Sequence, residues 1–345
     1  MNISIKDILG KWQEFTLNND YGMSVSVLNY GGIITKILVA DQSGEVENVV
    51  LSYRNYEDYE SNPHFLGTIV GRVAGRIKES SFQIDDKVYH LEANNGPNHL
   101  HGGPQGFHQI IWEAKPFQTD NEVGLRLTHK SPDGEGGYPG NMEVTVTYTL
   151  TNDNQLILDY AATTDQPTPI ALTNHSYFNL SGNLVSTVHN HLVTIDSSKF
   201  VELDQNLIPT GKVLDVEETP FDFRQGLPLR TGFNDSSKQN SIVGNGYDHY
   251  FMFDHSKASV VTMEEPTSGR SMTIQTNQPG MVMYTSNGLD EGVSLAENTS
   301  EKYLGVCFET QGSPASLHHD AFPTILLKGG ERYEQKTIFT FSAIK

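Results

Sequence analysis

The chain has a single cysteine among its 345 residues, Cys307. It can therefore form no disulfide within itself and has no thiolate cluster to hold a metal. Cys307 stands between Val306 and Phe308, a setting that indicates a small buried apolar side chain. The sequence also has no run of about 18 apolar residues, and its N-terminus lacks the apolar segment of a secretory signal. We therefore expect a soluble, cytoplasmic protein that does not associate with a membrane.

Positive charge is scarce as well. Lysine and arginine number 23 against 42 aspartate and glutamate residues, which gives a formal net charge of −19. Such a chain repels polyphosphate backbones and anionic lipid surfaces over a Debye length. We therefore expect no nucleic-acid partner, and a substrate that carries a phosphate dianion is disfavoured for the same reason.

No segment has the pattern of a long amphipathic helix, and alternation of apolar and polar residues with period 2 dominates instead. Clear examples are residues 23–28, 143–150 and 271–276. The chain has 31 glycines and 15 prolines, and turn-forming residues separate these short segments. The pattern predicts an all-β protein, built as a large antiparallel β-sandwich or barrel.

Turn signals also predict how some segments connect. Residues 82–89 and 326–333 each have turn residues between two apolar stretches, which predicts two hairpins. Residues 131–140 are too dense in glycine and proline for regular structure and are predicted to form a loop. Because no internal repeat, low-complexity tract or long linker marks a boundary, we expect one domain over residues 1–345.

Three polar residues are candidates for proton chemistry near neutral pH. His101 lies in a Gly-rich turn, His175 in a separate polar phrase, and Glu309 at the end of an apolar run. Together they offer an acid and a base. Each also has a structural alternative when taken alone. His101 could cap its own turn, His175 could be a satisfied strand-end residue, and Glu309 could pair with an arginine or face solvent.

The spacing of the histidines raises the question of a metal site. His99 and His101 would share one face of a strand, and His189 and His191 repeat the spacing. A cupin-like site also needs a carboxylate about four residues beyond the second histidine. Gln105 stands there instead. We therefore expect no metal.

Five phrases, in this order, carry a resemblance to a known family: Gly71 to Ile77, Leu100 to Gly103, Thr173 to Leu180, Gly246 to His249, and Phe308 to Gln311. Over roughly residues 25 to 340 the chain resembles the galactose mutarotases, or aldose 1-epimerases. The resemblance implies a single large β-sandwich, no cofactor, and a free monosaccharide as substrate. The implied activity is interconversion of the α and β anomers of aldohexoses.

The resemblance also implies catalytic roles. Glu309 would take the proton of the C1 hydroxyl, His175 would protonate the ring oxygen, and His101 would hydrogen-bond near that oxygen. Opposite charges on Glu309 and His175 would help each to keep its working state. The rate would then follow a bell-shaped pH profile, limited by protonation of Glu309 on the acid side and by deprotonation of His175 on the alkaline side.

Sugar-binding roles follow from the same resemblance. Arg76 and Asp248 would contact hydroxyl groups, and Tyr284 stands where the family often places an aromatic ring against the sugar. Arg72 lies four residues before Arg76, and one of the two is expected to be structural; the resemblance favours Arg76 for the sugar. Some relatives have Asn where this chain has Gly75, so one hydroxyl contact could differ.

Two other functions remain open from the sequence. A non-catalytic carbohydrate-binding protein could use the same fold without needing His175 and Glu309. A hexose-6-phosphate 1-epimerase would need an additional basic pocket for the phosphate, which an acidic chain disfavours. The sequence does not distinguish galactose from glucose or maltose as the preferred sugar, nor a monomer from a homodimer.

Overall fold

The computed structural model describes residues 1–344, and strands account for most of its regular structure. The strands are β1 (Asn2–Ile8), β2 (Trp12–Asn18), β3 (Ser24–Leu28), β4 (Ile34–Ala40), β5 (Val46–Asn48), β6 (Ile69–Val70), β7 (Arg76–Ile77), β8 (Ser81–Ile84), β9 (Lys87–His90), β10 (His99–Leu100), β11 (Glu113–Gln118), β12 (Glu122–Ser131), β13 (Met142–Thr151), β14 (Gln155–Thr164), β15 (Thr168–Pro169), β16 (Thr173–Asn174), β17 (Tyr177–Phe178), β18 (Leu192–Ile195), β19 (Lys199–Leu203), β20 (Pro209–Asp215), β21 (Leu227–Pro228), β22 (Asp248–Met252), β23 (Val261–Glu264), β24 (Arg270–Thr276), β25 (Gly280–Tyr284), β26 (Val306–Thr310), β27 (Leu326–Leu327) and β28 (Arg332–Ala343).

Helices are short throughout the described chain. The α-helices are α1 (Arg230–Phe233) and α2 (Lys238–Ile242), and 3-10 turns cover Tyr56–Glu60, Lys78–Ser80, Phe107–Gln109, Glu135–Gly137, Val188–Asn190 and Pro314–Leu317. This confirms the expectation that the chain forms no long amphipathic helix within residues 1–344. None of the helices described has the length and apolar character that crossing a membrane requires.

Three large sheets contain most of the strands. Their strand orders are β1-β2-β3-β4-β5, β11-β12-β13-β14-β28-β24-β23-β18-β21, and β17-β26-β25-β22-β19-β20. Neighbouring strands in all three sheets run antiparallel, as at the long β13–β14 and β14–β28 pairs. The three period-2 segments predicted from the sequence fall on β3, β13 and β24.

One large apolar core lies between the sheets. Along β14, Leu156, Leu158 and Tyr160 point into it, whereas the intervening Ile157 and Asp159 are part-exposed. The six-stranded sheet contributes its own inner face to the same core, as does the sheet of β1 to β5. This is face-to-face packing of sheets, so the predicted large antiparallel β-sandwich is confirmed.

The register of the six-stranded sheet separates two kinds of residue. Directly opposite residues of an antiparallel pair share a face, and successive residues alternate between faces. On one face, pairing aligns Cys307 with Tyr284 and Tyr284 with Asp248; Glu309, two residues beyond Cys307, shares that face. On the other face, Phe308 and its neighbours belong to the main core. The sheet therefore has a core face and a face that is free to form a site.

One predicted hairpin is confirmed and one is wrong. β8 and β9 pair around a turn at Asp85 and Asp86, as predicted for residues 82–89. Residues 326–333 do turn at Gly329 and Gly330, but β27 pairs with β15, and β28 pairs with β14 and β24. The turn packs against the backbone at Asp165, and the strands before and after it belong to different sheets. The loop predicted at 131–140 is irregular, apart from the 3-10 turn Glu135–Gly137 and the strand end at Ser131.

Candidate active site

A cleft of about 350 Å³ opens on the outer face of the six-stranded sheet. β22, β25 and β26 form its floor, and loops between other strands form its walls. All six residues that the sequence singled out line this one cleft: Arg76, His101, His175, Asp248, Tyr284 and Glu309. They come from segments that are far apart in the chain, so the sandwich topology brings them together.

His175 and Glu309 approach each other at the bottom of the cleft. The Nε2 atom of His175 lies 3.6 Å from Oε1 of Glu309, and the two side chains are 5% and 3% exposed. Glu309 is the fourth residue of β26, inside the sheet rather than at a solvent-facing end. The backbone N–H of His175 donates to the Thr68 carbonyl, which fixes the segment after β16 against the loop before β6. The ring and the carboxylate are therefore both held on backbone anchored in sheet structure.

Burial acts against charge on both groups. It raises the pKa of Glu309 well above its ordinary value, and nearby Asp248 raises it further, while Arg76 lowers it. Burial lowers the pKa of His175 to about 4. Desolvation is the largest effect on each group, and it opposes the expectation that opposite charges keep Glu309 ionised and His175 protonated.

His101 is positioned by a tight backbone crossing. β7 and β10 pair so that Leu100 faces Arg76, and the N–H of His101 donates to the Gly75 carbonyl. At Gly102 a Cβ atom would lie 1.8 Å from the carbonyl oxygen of Gly71, so only glycine fits there. This crossing explains why two Gly-rich phrases of the sequence form one wall of the cleft.

Arg76 and Asp248 form a partly exposed pair at the cleft. Nε of Arg76 donates to Oδ1 of Asn95 at 3.0 Å, and one terminal nitrogen lies 3.7 Å from Oδ2 of Asp248. Burial raises the pKa of Asp248, and the charge of Arg76 opposes that rise. The guanidinium keeps donors directed at the cleft, so it is placed to contact hydroxyl groups.

Arg72 has a different environment from Arg76. It is 2% exposed and donates to the hydroxyl and carbonyl oxygens of Ser131 and to the carbonyls of Pro132 and Pro139. These bonds tie the segment after β6 to the 131–140 loop. Arg72 is therefore the structural arginine of the two, and its hydrogen-bond partners are neutral oxygens.

Tyr284 and Gly75 lie on the floor and wall of the cleft. The Tyr284 hydroxyl accepts a hydrogen bond from the N–H of Gly288 at 2.9 Å, which holds its ring at the cleft. Gly75 has φ of 84°, and a Cβ atom there would lie 3.0 Å from Pro314. An asparagine in place of Gly75 would tolerate that φ but would require Pro314 to shift.

Phe65 and Gln311 also line the cleft, and both were missed from the sequence. The Phe65 ring lies 4.8 Å from the rings of both His101 and His108, and 6.0 Å from that of His175. Gln311 is fully buried and lines the cleft, and its Oε1 has no hydrogen-bond partner among the described residues. Phe65 lacks a distinctive motif, whereas Gln311 stands in the same phrase as Glu309 and could have been considered.

The ligand atoms of His101, His175 and Glu309 lie within 4.8 Å of one another, a spacing that could hold a metal ion. The Nδ1 of His101, however, accepts a hydrogen bond from the Gly75 N–H at 3.2 Å. A metal on Nε2 would force the ring proton onto Nδ1, against that N–H. His99 turns away from the group and bonds the Glu92 carbonyl and the Tyr138 hydroxyl. The side chains of His99 and His101 thus do not converge on one site.

Comparison with known proteins agrees with this geometry. The sequence profile of the aldose 1-epimerase family matches residues 13–340. The chain is 38% identical to the galactose mutarotase of Homo sapiens, with 96% of this chain and 95% of that protein covered. It is 31% identical to the maltose epimerase of Levilactobacillus brevis, with 95% and 94% covered. The crystal structure of a galactose 1-epimerase from Lactobacillus acidophilus superposes with a TM-score of 0.88 at 29% identity, covering 100% of this chain and 99% of that one. The chain therefore belongs to the aldose 1-epimerase family.

Proposed function

We propose that this protein interconverts the α and β anomers of free aldohexoses such as galactose and glucose. The observation that carries the proposal is the approach of Nε2 of His175 to within 3.6 Å of the Glu309 carboxylate on the floor of an open cleft. Family membership supports the same activity. We propose further that the chain acts as one domain, because strands of all three large sheets contribute to one core.

The reaction needs one base and one acid. Glu309 takes the proton of the C1 hydroxyl while Nε2 of His175 gives its proton to the ring oxygen, and the C1–O5 bond opens to the free aldehyde. Rotation about C1–C2 presents the other face of the carbonyl, and the two groups then act in reverse to close the ring. Burial removes water from Glu309 and His175 and so disfavours the charged form of each. In the complex, hydroxyl groups of the bound sugar hydrogen-bond to the two groups in place of that water.

The remaining cleft residues bind and orient the sugar. His101 donates a hydrogen bond near the ring oxygen, Arg76 donates to hydroxyl groups, and Asp248 accepts from neighbouring hydroxyls. Tyr284 packs its ring against the sugar. These roles leave the chemistry at C1 to Glu309 and His175.

A phosphorylated substrate is less well supported. Among the described residues that line the cleft, Arg76 is the one lysine or arginine, and Asn95 and Asp248 already lie against it. A dianionic phosphate needs more positive charge than this. Asp248 and Glu309 would also repel the phosphate. The free sugar is therefore the better fit.

The test follows the optical rotation of freshly dissolved α-D-galactose in a weakly basic buffer, with parent protein and with Glu309→Gln. We expect the parent to accelerate anomerisation and the variant to lose about 10²–10⁴-fold in kcat, because the base is gone while the shape is kept. Glu297→Gln is the matched control, since Glu297 is a half-buried carboxyl whose pKa is also raised by burial, and it lies outside the cleft lining.

Three outcomes decide between functions. Acceleration by the parent and by Glu297→Gln, with loss only in Glu309→Gln, supports the epimerase and its base together. Calorimetric binding of galactose without acceleration by any form would instead support a carbohydrate-binding protein. Acceleration restricted to glucose 6-phosphate would overturn the choice of a free sugar.

A further inference from the structure

The two histidines at the cleft differ in what faces their Nδ1 atoms. Nδ1 of His175 lies 3.5 Å from Sγ of Cys307, a residue of β26 with no exposed surface. Nδ1 of His101 accepts from the backbone N–H of Gly75 at 3.2 Å. A backbone N–H can only donate, whereas a thiol is both a weak donor and a weak acceptor. The two rings therefore differ in which protonation states they can adopt.

His101 is restricted to one state. Because Gly75 donates to its Nδ1, the neutral ring must carry its proton on Nε2. An imidazolium would place a second proton on Nδ1, directed at the Gly75 N–H. Burial also lowers the pKa of His101 well below its ordinary value, and repulsion from the His175 ring when it is protonated and from Arg76 lowers it further. His101 can thus donate a hydrogen bond but is not suited to carry a proton back and forth.

The ring of His175 can adopt either neutral tautomer, and the contact of its Nε2 atom indicates which one it adopts. Nε2 faces the Glu309 carboxyl, whose pKa is raised well above its ordinary value by burial and by Asp248. A protonated carboxyl directed at Nε2 favours a lone pair on that atom, so the neutral ring carries its proton on Nδ1 and donates it to the Cys307 sulfur. Burial raises the pKa of Cys307 well above its ordinary value, so the sulfur remains a neutral thiol.

We infer that Cys307 is a positioning residue whose sulfur accepts the Nδ1–H of His175, so that Nε2 of His175 is the atom that releases and takes back the proton. The inference rests on the proposed function. When the sugar binds, the carboxyl proton of Glu309 passes to Nε2 of His175, which leaves a carboxylate and an imidazolium. On ring opening the proton on Nε2 then passes to the ring oxygen, the C1 hydroxyl proton passes to the Glu309 carboxylate, and the proton on Nδ1 stays on the bond to sulfur. Ring closure reverses both transfers, and the thiol neither gains nor loses a proton.

The contact is built by the sheet. Cys307 and Tyr177 are paired residues of β26 and β17, and His175 lies two residues before Tyr177. The rings of His175 and Tyr177 lie 5.0 Å apart, which limits rotation of the imidazole. The sulfur therefore meets a ring whose orientation is already restricted, and it distinguishes one ring nitrogen from the other.

The experiment uses the full chain labelled with ¹⁵N-histidine, together with Cys307→Ala and Cys307→Ser. Two-bond ¹⁵N–¹H spectra near pH 7.5 distinguish the two neutral tautomers, and spectra of His175→Asn and His101→Asn assign the signals. We expect His101 as the Nε2–H form and His175 as the Nδ1–H form in the parent. In Cys307→Ala we expect the Nε2–H form of His175 to grow and kcat to fall roughly tenfold with little change in KM, as for one lost hydrogen bond.

Cys307→Ser is the conservative variant. Its hydroxyl oxygen also accepts a hydrogen bond, so it should retain the Nδ1–H form and most of kcat. A merely structural role predicts the opposite order, because serine introduces a hydroxyl into an apolar setting where alanine does not. Finding His175 as the Nε2–H form in the parent, or equal kcat in parent and Cys307→Ala, would overturn the inference. Parent protein with the expected tautomers but no anomerisation would refute the proposed function instead.

Discussion

The two faces of the six-stranded sheet differ in chemistry although their residues alternate along the same strands. Phe308 and Met283 point into the core, whereas the adjacent Glu309 and Tyr284 point into the cleft. A shift of one residue in register would exchange the two sets. The close packing of one face thus holds the other face in place, and the functional groups need no separate scaffold.

The two faces also differ in how they affect stability. Residues on the core face stabilise the folded protein because their apolar surface is removed from water. The carboxyl groups of Asp248 and Glu309 on the cleft face lose hydration, and burial raises the pKa of both. Substitutions on the core face should therefore reduce stability, and substitutions on the cleft face should reduce activity.

Phe308→Ala should have the largest effect on stability. Phe308 is 2% exposed in the main core, and removal of such a ring costs about 3–5 kcal/mol of unfolding free energy. Urea unfolding followed by fluorescence would measure this loss. Glu309→Gln, one residue away, should leave the urea midpoint unchanged or raise it. An equal loss of stability in both variants would refute the division between the faces.

The two arginines allow the same contrast outside the sheet. Arg72→Lys should lower the unfolding free energy by about 2–3 kcal/mol, because lysine cannot replace the fork of bonds to Ser131 and Pro139. Arg76→Lys should raise KM for galactose and leave stability near that of the parent. Thermal melting and steady-state polarimetry of the two variants would measure these effects. The reverse result would exchange the assigned roles.

Buried histidines outside the cleft should make the protein sensitive to acid. Burial lowers the pKa of His249 to about 3 and that of His191 to about 4. The unfolded chain binds these protons at an ordinary pKa of about 6.5, so folding stability falls as the pH drops below that value. Between pH 6.5 and pH 5 each such histidine should cost about 2 kcal/mol.

Melting temperatures between pH 8 and pH 5 would test this, with His249→Gln as the comparison variant. The fall in melting temperature below pH 6.5 should be smaller in the variant than in the parent. A parent protein whose melting temperature stays constant over this range would contradict the prediction.

Asp248→Asn should have the smallest and most specific effect, a change in the pH profile. The charge of Asp248 raises the pKa of Glu309, so its removal lowers that pKa and leaves more Glu309 ionised at a given pH. The limb of the kcat/KM profile that reports Glu309 should move to lower pH. Asp290→Asn, which removes an exposed carboxylate that pairs with His64 beside the cleft, should leave that limb in place. If the limb moved equally in both variants, the shift would be an effect of overall charge rather than of the charge on Asp248.

The sequence predicted the parts of this protein that depend on local pattern. Alternation identified strands such as β13, and turn residues identified the β8–β9 hairpin. The order of the motifs led to a site whose six residues all line one cleft. Local pattern failed at residues 326–333, because turn residues indicate a reversal of the chain without specifying which strands pair on either side of it.

Contacts between distant segments could not be predicted in this way. Cys307 was expected to be buried, and it is, but its contact with Nδ1 of His175 joins residues 132 positions apart. The Phe65 ring packs against two cleft histidines without any motif of its own. Such contacts depend on how sheets and loops pack, and side-chain type alone does not determine that packing.

By itself, the sequence determined the strand-rich fold, the acidic surface charge and the residue types available for proton transfer, because periodicity and composition are local properties of the chain. Only the tertiary structure decided that Arg72 is structural while Arg76 reaches the cleft, and that desolvation opposes charge on both Glu309 and His175. The physical reason is that burial, hydrogen-bond partners and pKa values depend on neighbours that the fold brings together from distant parts of the chain.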